Sequence, residues 1–278
     1  MKNETVKPFS VRLLLSIFII SLLVFMLLRW DVSSFLRHQI DNAAKQEGYT
    51  LIYDEVSISG LSIVLQPITI QQGKAMSIQL DKIQLSPSFS QLTSGILGLD
   101  INTTWLGNPI SATVVQDGDV IQLLNIDAMI DVSRLDDLNI PVQLSGLMHL
   151  QGELQLLQST GQPQSGRLTL TWNNAKAGLA APEFTLGDYQ VNINSVDDVS
   201  QPWQWAISGG SGVALNGSGT LLANNPDPKR WAVTGLVDAN IDNSNPSLAM
   251  MMQGVMGSNQ AKFRISGSLG APRTVIVR

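Results

Sequence analysis

Thr50 to Pro87 reads TLIYDEVSISGLSIVLQPITIQQGKAMSIQLDKIQLSP, and its apolar side chains recur at every second position. Val56 and Ile58, then Leu61, Ile63 and Leu65, Ile68 and Ile70, Met76, Ile78 and Leu80, and finally Ile83 and Leu85 form successive sets. Neighbouring side chains of a strand point to opposite faces, so this spacing is that of half-buried antiparallel strands. Breaks are expected at Ser59-Gly60, Pro67, Gln72-Gly73 and Pro87, where turn or strand-edge chemistry interrupts the alternation.

The same texture returns downstream in Leu168, Leu170 and Trp172, in Tyr189, Val191 and Ile193, in Trp203, Trp205 and Ile207, and in Trp231 and Val233. Between the two lies QSTGQPQSG, Gln158 to Gly166, which reads as a hairpin loop or a joint between a first β half (49–157) and a second (167–278). An apolar strand, a Ser-Gly or close variant, and another strand recur at VSISGLSI, VQLSGLMHL, VALNGSGTLL, WAVTGLVDA and FRISGSLGAP. Glycines so placed are either ordinary turns of a meander or bends that let a sheet curl. The fold class is therefore mainly β, a curved antiparallel sheet in the form of a groove, a half-barrel or a sandwich. Helix is expected at Ser88 to Leu97 and at Pro246 to Met256.

Outward toward the amino terminus the period changes. Asp31 to Glu47 places Phe35, Leu36, Ile40, Ala43 and Ala44 at helical spacing, with Gly48 in the position of a C-cap glycine, so 31–48 reads as a juxtamembrane helix. Before it, Leu13 to Leu28 runs LLLSIFIISLLVFMLL without a charge, closed by Arg12 and by Arg29-Trp30. Such a segment rises about 24 Å as a helix, a little less than a hydrocarbon core of about 30 Å. Snorkelling of Arg12 and Arg29 and an interfacial Trp30 close the gap. The sites expected to matter are thus the anchor, Leu13, Leu22, Leu23 and Leu28 within 13–30, and its flanks Arg12, Arg29 and Trp30. A cleaved signal peptide is the alternative, but no A-x-A follows, and Val32-Ser33-Ser34 comes after a bulky Arg-Trp-Asp. Lys2, Lys7 and Arg12 face a single Glu4 before the span, so the tail 1–12 is expected in the cytoplasm of a bacterial cell and the rest of the chain in the periplasm.

Composition narrows the chemistry. The 278 residues include no cysteine, which excludes thiol nucleophiles, cysteine zinc sites and disulfides. A net charge of -5 without a basic cluster beyond the amino terminus argues against nucleic-acid binding. Gly209-Gly210-Ser211-Gly212 and Gly217-Ser218-Gly219 do not fit G-x-S-x-G and read as turns. No phosphate-binding, dinucleotide or zincin motif occurs. His38 reads as a solvated helix residue and His149 as a polar residue on a strand face. The pairs Asp117/Asp119, Asp136/Asp137 and Asp197/Asp198 lack further spaced ligands and read as exposed turns. Met250, Met251, Met252 and Met256 form a soft apolar group, a buried helix face or a docking surface for a partner or lipid. No catalytic residue, metal site or cofactor is expected.

Taken in order, several segments carry a resemblance: the anchor at 13–28, LSPSFSQLTSGILGLDI (Leu85 to Ile101), IPVQLSGLMHLQGELQL (Ile140 to Leu156), LTLTWNNAKAG (Leu168 to Gly178), LGDYQVNI (Leu186 to Ile193), the glycine-rich strands at 207–222, and NPSLAMMMQGVMG followed by KFRISGSL. Together they resemble protein N of the type II secretion system, the GspN family of the general secretory pathway. The helix with Gly48-Tyr49-Thr50 and the FRISGSLGAPR segment are also similar to AsmA-type envelope proteins, whose β-grooves are associated with lipid. The first resemblance implies a bitopic inner-membrane protein without enzymatic activity, accessory to the export of folded proteins, with other secretion components as partners and no catalytic residues to carry over. The second implies a β-groove that binds or transfers lipid. A filled, closed core would favour the first role, and an open sheet with an apolar lining the second.

Overall fold

The computed structural model describes residues 32–46, 48–72, 76–93, 95–96, 98–134, 143–178, 183–195, 201–241, 246, 249–250, 253–254 and 258–277. The expected anchor at 13–30 and its flanks lie outside the described residues, as do Asp136, Asp137, Asp197, Asp198, Met251, Met252 and Met256. Among the described residues, no helix is long and apolar enough to cross a membrane.

Helix α1 (Val32–Gln46) comes first and ends as the sequence indicates: Gly48 takes φ 79° and its N–H donates to the Lys45 carbonyl at 3.1 Å. Fifteen strands follow: β1 (Tyr49–Ser59), β2 (Ser62–Gln72), β3 (Met76–Leu80), β4 (Lys82–Pro87), β5 (Gly98–Trp105), β6 (Asn108–Asp117), β7 (Val120–Asp131), β8 (Gln143–Leu157), β9 (Pro163–Gly178), β10 (Phe184–Asn194), β11 (Trp203–Gly209), β12 (Val213–Leu222), β13 (Ala232–Ile241), β14 (Gln260–Ser268) and β15 (Ala271–Val277). A four-residue helix, α2 (Phe89–Leu92), sits between β4 and β5. Within the expected 246–256 helix, Pro246, Ala249, Met250, Gln253 and Gly254 are helical.

All strands belong to one antiparallel sheet in which, β3 apart, each pairs with the next along the chain. β3 and β4 share one side of β2, pairing with Ile68–Gln72 and Ile63–Leu65 respectively, so they act as one strand interrupted at Asp81. β1 and β15 do not pair, and the sheet is not closed. Short hairpin connections suffice for such a meander, which matches a chain whose turn signals recur at close intervals.

Two expectations change, and for Gln158 to Gly166 one of the two readings is selected. Pro67 does not end a strand: it lies inside β2, level with Asp54 of β1, and the ladder continues on both sides. Proline has no N–H to give there, and the burial alternation of β1 shifts at that level, from Tyr53 inward to Val56 inward. Gly217-Ser218-Gly219 is not a turn but the middle of β12, paired to both β11 and β13. Gln158 to Gly166 is a hairpin connection and not a subdomain joint, because β8 and β9 pair along most of their lengths and Pro163–Gly166 already belong to β9.

Candidate functional site

Pairing partners share a face of the sheet, so the registers trace rows of side chains across it. One row takes a residue from each successive strand: Val56, Leu65, Ile83, Thr103, Ile110, Ala128 and Leu150, then Leu170, Val191, Ile207, Gly217, Val237, Phe263 and Ile276. Its single hydroxyl, Thr103, donates to the Lys82 carbonyl at 2.7 Å. The next row lies one residue along each strand and therefore on the other face: Gln84, Asn102, Ser111, Asp127, Gln151, Thr169, Asn192, Ala206 and Ser218. Alternation at the sequence level thus becomes one apolar and one polar face in this central part of the sheet.

On the polar face the side chains bond to one another. The Thr169 hydroxyl donates to Asn192 Oδ1 at 3.0 Å, Gln151 Nε2 donates to Asp127 Oδ2 at 3.3 Å, and His149 Nε2 lies 2.9 Å from Asp127 Oδ1. His149 is thus a strand residue paired with a carboxylate. His38 is exposed on α1. Asp117 and Asp119 flank the β6–β7 turn. Among the described residues, no group of three or more acidic or histidine side chains gathers where it could hold a metal ion.

The apolar face is treated differently along its length. From β11 to β13 it is sealed. Trp205 is 8% exposed and donates from Nε1 to the Thr234 carbonyl at 3.1 Å. Its indole lies over Gly235, where an added Cβ would sit 2.2 Å from Trp205 Cζ2. Trp203 and Trp231 pack with ring centroids 6.1 Å apart, above Leu221 and Val233. From β6 to β10, Ile110, Leu150, Leu170 and Val191 stay half-buried, with no second layer of secondary structure packed on them among the described residues.

Register irregularities cross this open part. Asn125 adopts φ 51° where β7 shifts register against both neighbours. A second line of shifts passes through Gly146 in β8, Asn174 in β9 and Gly187 in β10. Bulges bend strands and increase their local twist. Tyr189 fixes the same corner, since its buried hydroxyl donates to the Val213 carbonyl at 2.7 Å, and burial pushes its pKa up to about 12.

At the amino-terminal end α1 docks on β1. Arg37 Nη2 donates to the Asp54 carbonyl at 2.7 Å, level with the missing N–H of Pro67. The Tyr53 hydroxyl donates to Asp41 Oδ1 at 2.8 Å, and burial followed by this bond raises its pKa to about 12. Ile40 packs into a cluster built on Val56, Leu65, Ile68 and Leu80.

The anchor residues singled out in the sequence fall outside the described residues. The open apolar row was present in the sequence as alternation, but its continuity across strands needed the registers. No family model matches the chain, and no curated protein or solved structure matches it either.

Proposed function

We propose that this chain is a non-enzymatic envelope protein of the type II secretion type, tethered to the inner membrane by residues 13–30, with the bulk of the chain in the periplasm and the open apolar face as its binding surface. One observation carries the binding role: a row of half-buried aliphatic side chains from Ile110 through Leu150 and Leu170 to Val191, on a sheet with no second layer of secondary structure over them among the described residues. Contiguous apolar surface that the fold leaves partly accessible is characteristic of an interaction site. The secretion assignment is supported by the order of segments that resembles protein N, and the partners are then other components of that machinery.

A second reading is favoured by the same open sheet. The bulges through Asn125 and through Gly146, Asn174 and Gly187 would curve it into a trough, and a trough lined by Leu, Ile and Val fits an acyl chain. Lipid handling is then the activity.

Photoreactive residues at Leu150, Leu170 and Val191, with Gln151 and Thr169 on the polar face as controls, separate the two. Protein adducts from secretion components at the apolar positions support the first reading, and phospholipid or lipopolysaccharide adducts the second. Equal labelling from both faces would remove the apolar row as the binding surface.

A further inference from the structure

The corner of the sheet where β1 turns into β2 carries large apolar side chains that stay exposed among the described residues. Leu61 is 68% exposed, Phe89 62%, Ile58 47% and Leu92 41%. They come from two connections that the register makes neighbours: Ile63 pairs with Leu85, so the Gly60-Leu61 turn and the Ser88–Ile96 segment lie at the same end of adjacent strands. The segment is not loose. The Ser88 N–H donates to the Gly98 carbonyl at 2.8 Å, the Thr93 hydroxyl donates to the Ser90 carbonyl at 2.8 Å, and Ser88 is fully buried. A well-bonded connection that still points Phe89 and Leu92 into solvent calls for a covering partner.

Charge and direction indicate which one. No charged residue occurs from Val56 to Gly73 or from Ile83 to Leu99. Helix α1 runs antiparallel to β1: Gly48 joins it to Tyr49, while Arg37 and Asp41 reach Asp54 and Tyr53. Continuing from Arg37 to Val32 advances about 7.5 Å along the helix, toward the Gly60 end of β1. The described chain therefore begins on the side of the exposed corner, and the apolar stretch at 13–28 precedes it directly in sequence. Farther along the same end the connections change character. The β6–β7 turn is Asp117-Gly118-Asp119, and Gln158 of the next hairpin bonds to the Asp119 carbonyl at 2.8 Å.

We propose that the Leu61 turn and the Phe89–Leu92 segment sit in the interface of the bilayer that residues 13–30 span, so that the sheet is held on the membrane at two points. The inference rests on the reading of 13–30 as an anchor. An uncharged apolar corner gains by burial among headgroups and upper acyl chains. Carboxylates at Asp117 and Asp119 are repelled by anionic lipid and limit the contact to the β1–β5 side.

The chain has no cysteine, so Phe89→Cys and, separately, Leu61→Cys give single sites for an environment-sensitive fluorophore. Each is reconstituted as the full chain in phosphatidylethanolamine/phosphatidylglycerol vesicles, with and without a lipid carrying a nitroxide near the headgroup. The expected result is a blue-shifted emission and about a twofold or greater quenching at both sites, with an Asp119→Cys label left unquenched. A water-like spectrum at both corner sites overturns the proposal. So does a blue-shifted label that the nitroxide lipid leaves bright, which means that protein covers the corner, whether a second copy or residues 13–28. Quenching as strong at Asp119 overturns the confinement to the apolar corner. Flotation of the vesicles after alkaline washing reads the anchor separately: a chain that washes off defeats the anchor and the proposal together, whereas one that floats with unquenched corner labels defeats the proposal alone.

Discussion

The apolar row is sealed over β11–β13 and open over β6–β10, although the pairing registers carry it unbroken through both. Over β11–β13 the difference comes from a pairing of very large with very small residues. Trp205 stretches across the sheet because Gly219 and Gly235 occupy its row on the next two strands, and Trp203 with Trp231 closes the neighbouring row. Over β6–β10 the row consists of a buried Ala128 and the half-buried Ile110, Leu150, Leu170 and Val191, whose aliphatic side chains are too short to reach across it as an indole does. Alternation decides which face is apolar, and reach decides whether that face covers itself.

The strongest way to break this contrast is to remove the cover. Trp205→Ala is expected to cost about 3–5 kcal/mol, the range for large aromatic truncations in a packed core. Gly235→Val attacks the same contact from below, because its side chain would occupy the space of the indole. Amide hydrogen exchange of β11–β13 in both variants should lose protection while β5–β7 keeps it. Protection lost evenly over the whole sheet would show that the tryptophans hold no separate unit. In the open region Leu170→Gln should cost little more than about 1 kcal/mol, since the side chain is already part-exposed, yet it should reduce crosslinking from photoreactive residues at Leu150 and Val191. A stability loss as large as that of Trp205→Ala would mean that the open row is core.

The corner between the two regions depends on Tyr189. Tyr189→Phe leaves the Val213 carbonyl without its donor, at a cost of about 1–3 kcal/mol. The pH dependence has a definite sign. Burial raises the folded pKa from 10.0 to about 12, so the folded state favours the neutral phenol. Its contribution is fully present below pH 10 and is lost as pH rises from 10 to about 12. Tyr53, raised to about 12 on α1's docking surface, adds a loss of the same sign in the same window. Alkaline unfolding followed by near-ultraviolet dichroism should therefore be shallower in Tyr189→Phe and shallower still in the Tyr53→Phe/Tyr189→Phe double variant. An unchanged slope in the double variant would exclude both phenols as its source.

Much of this architecture was legible because strand alternation and helix capping are local signals. The period of two from Thr50 to Leu85 and the Gly48 stop after α1 reappear as strands and a C-cap. What was not legible depends on neighbours across the sheet. Pro67 read as a break because proline lacks a donor, yet β2 runs through it, paired on both sides of that level, with Arg37 donating to the Asp54 carbonyl opposite. Gly217 and Gly219 read as turn residues because nothing local reveals that Trp205 lies two strands away from Gly235 with Gly219 between. The exposed corner at Leu61 and Phe89 was hidden for a related reason: its two halves are more than twenty residues apart and meet only through the β2–β4 register.

The smallest effect tests the other face. Asp127 accepts from Gln151 and lies 2.9 Å from His149, and its side chain is 44% exposed. Bonds in such a setting exchange readily with water, and exposed ion pairs are worth at most about 1 kcal/mol. Asp127→Asn keeps the shape and an acceptor oxygen, so its unfolding midpoint should stay within about 0.5 kcal/mol of the parent, and crosslinking from Leu150 and Leu170 should not change. These two readouts together carry the contrast between faces. If Asp127→Asn leaves stability intact but removes the protein or lipid adducts, the polar row with His149 and Gln151 takes part in binding. The division into one binding face and one solvated face would then have to be given up, and the sheet read as a surface that recognises a partner from both sides.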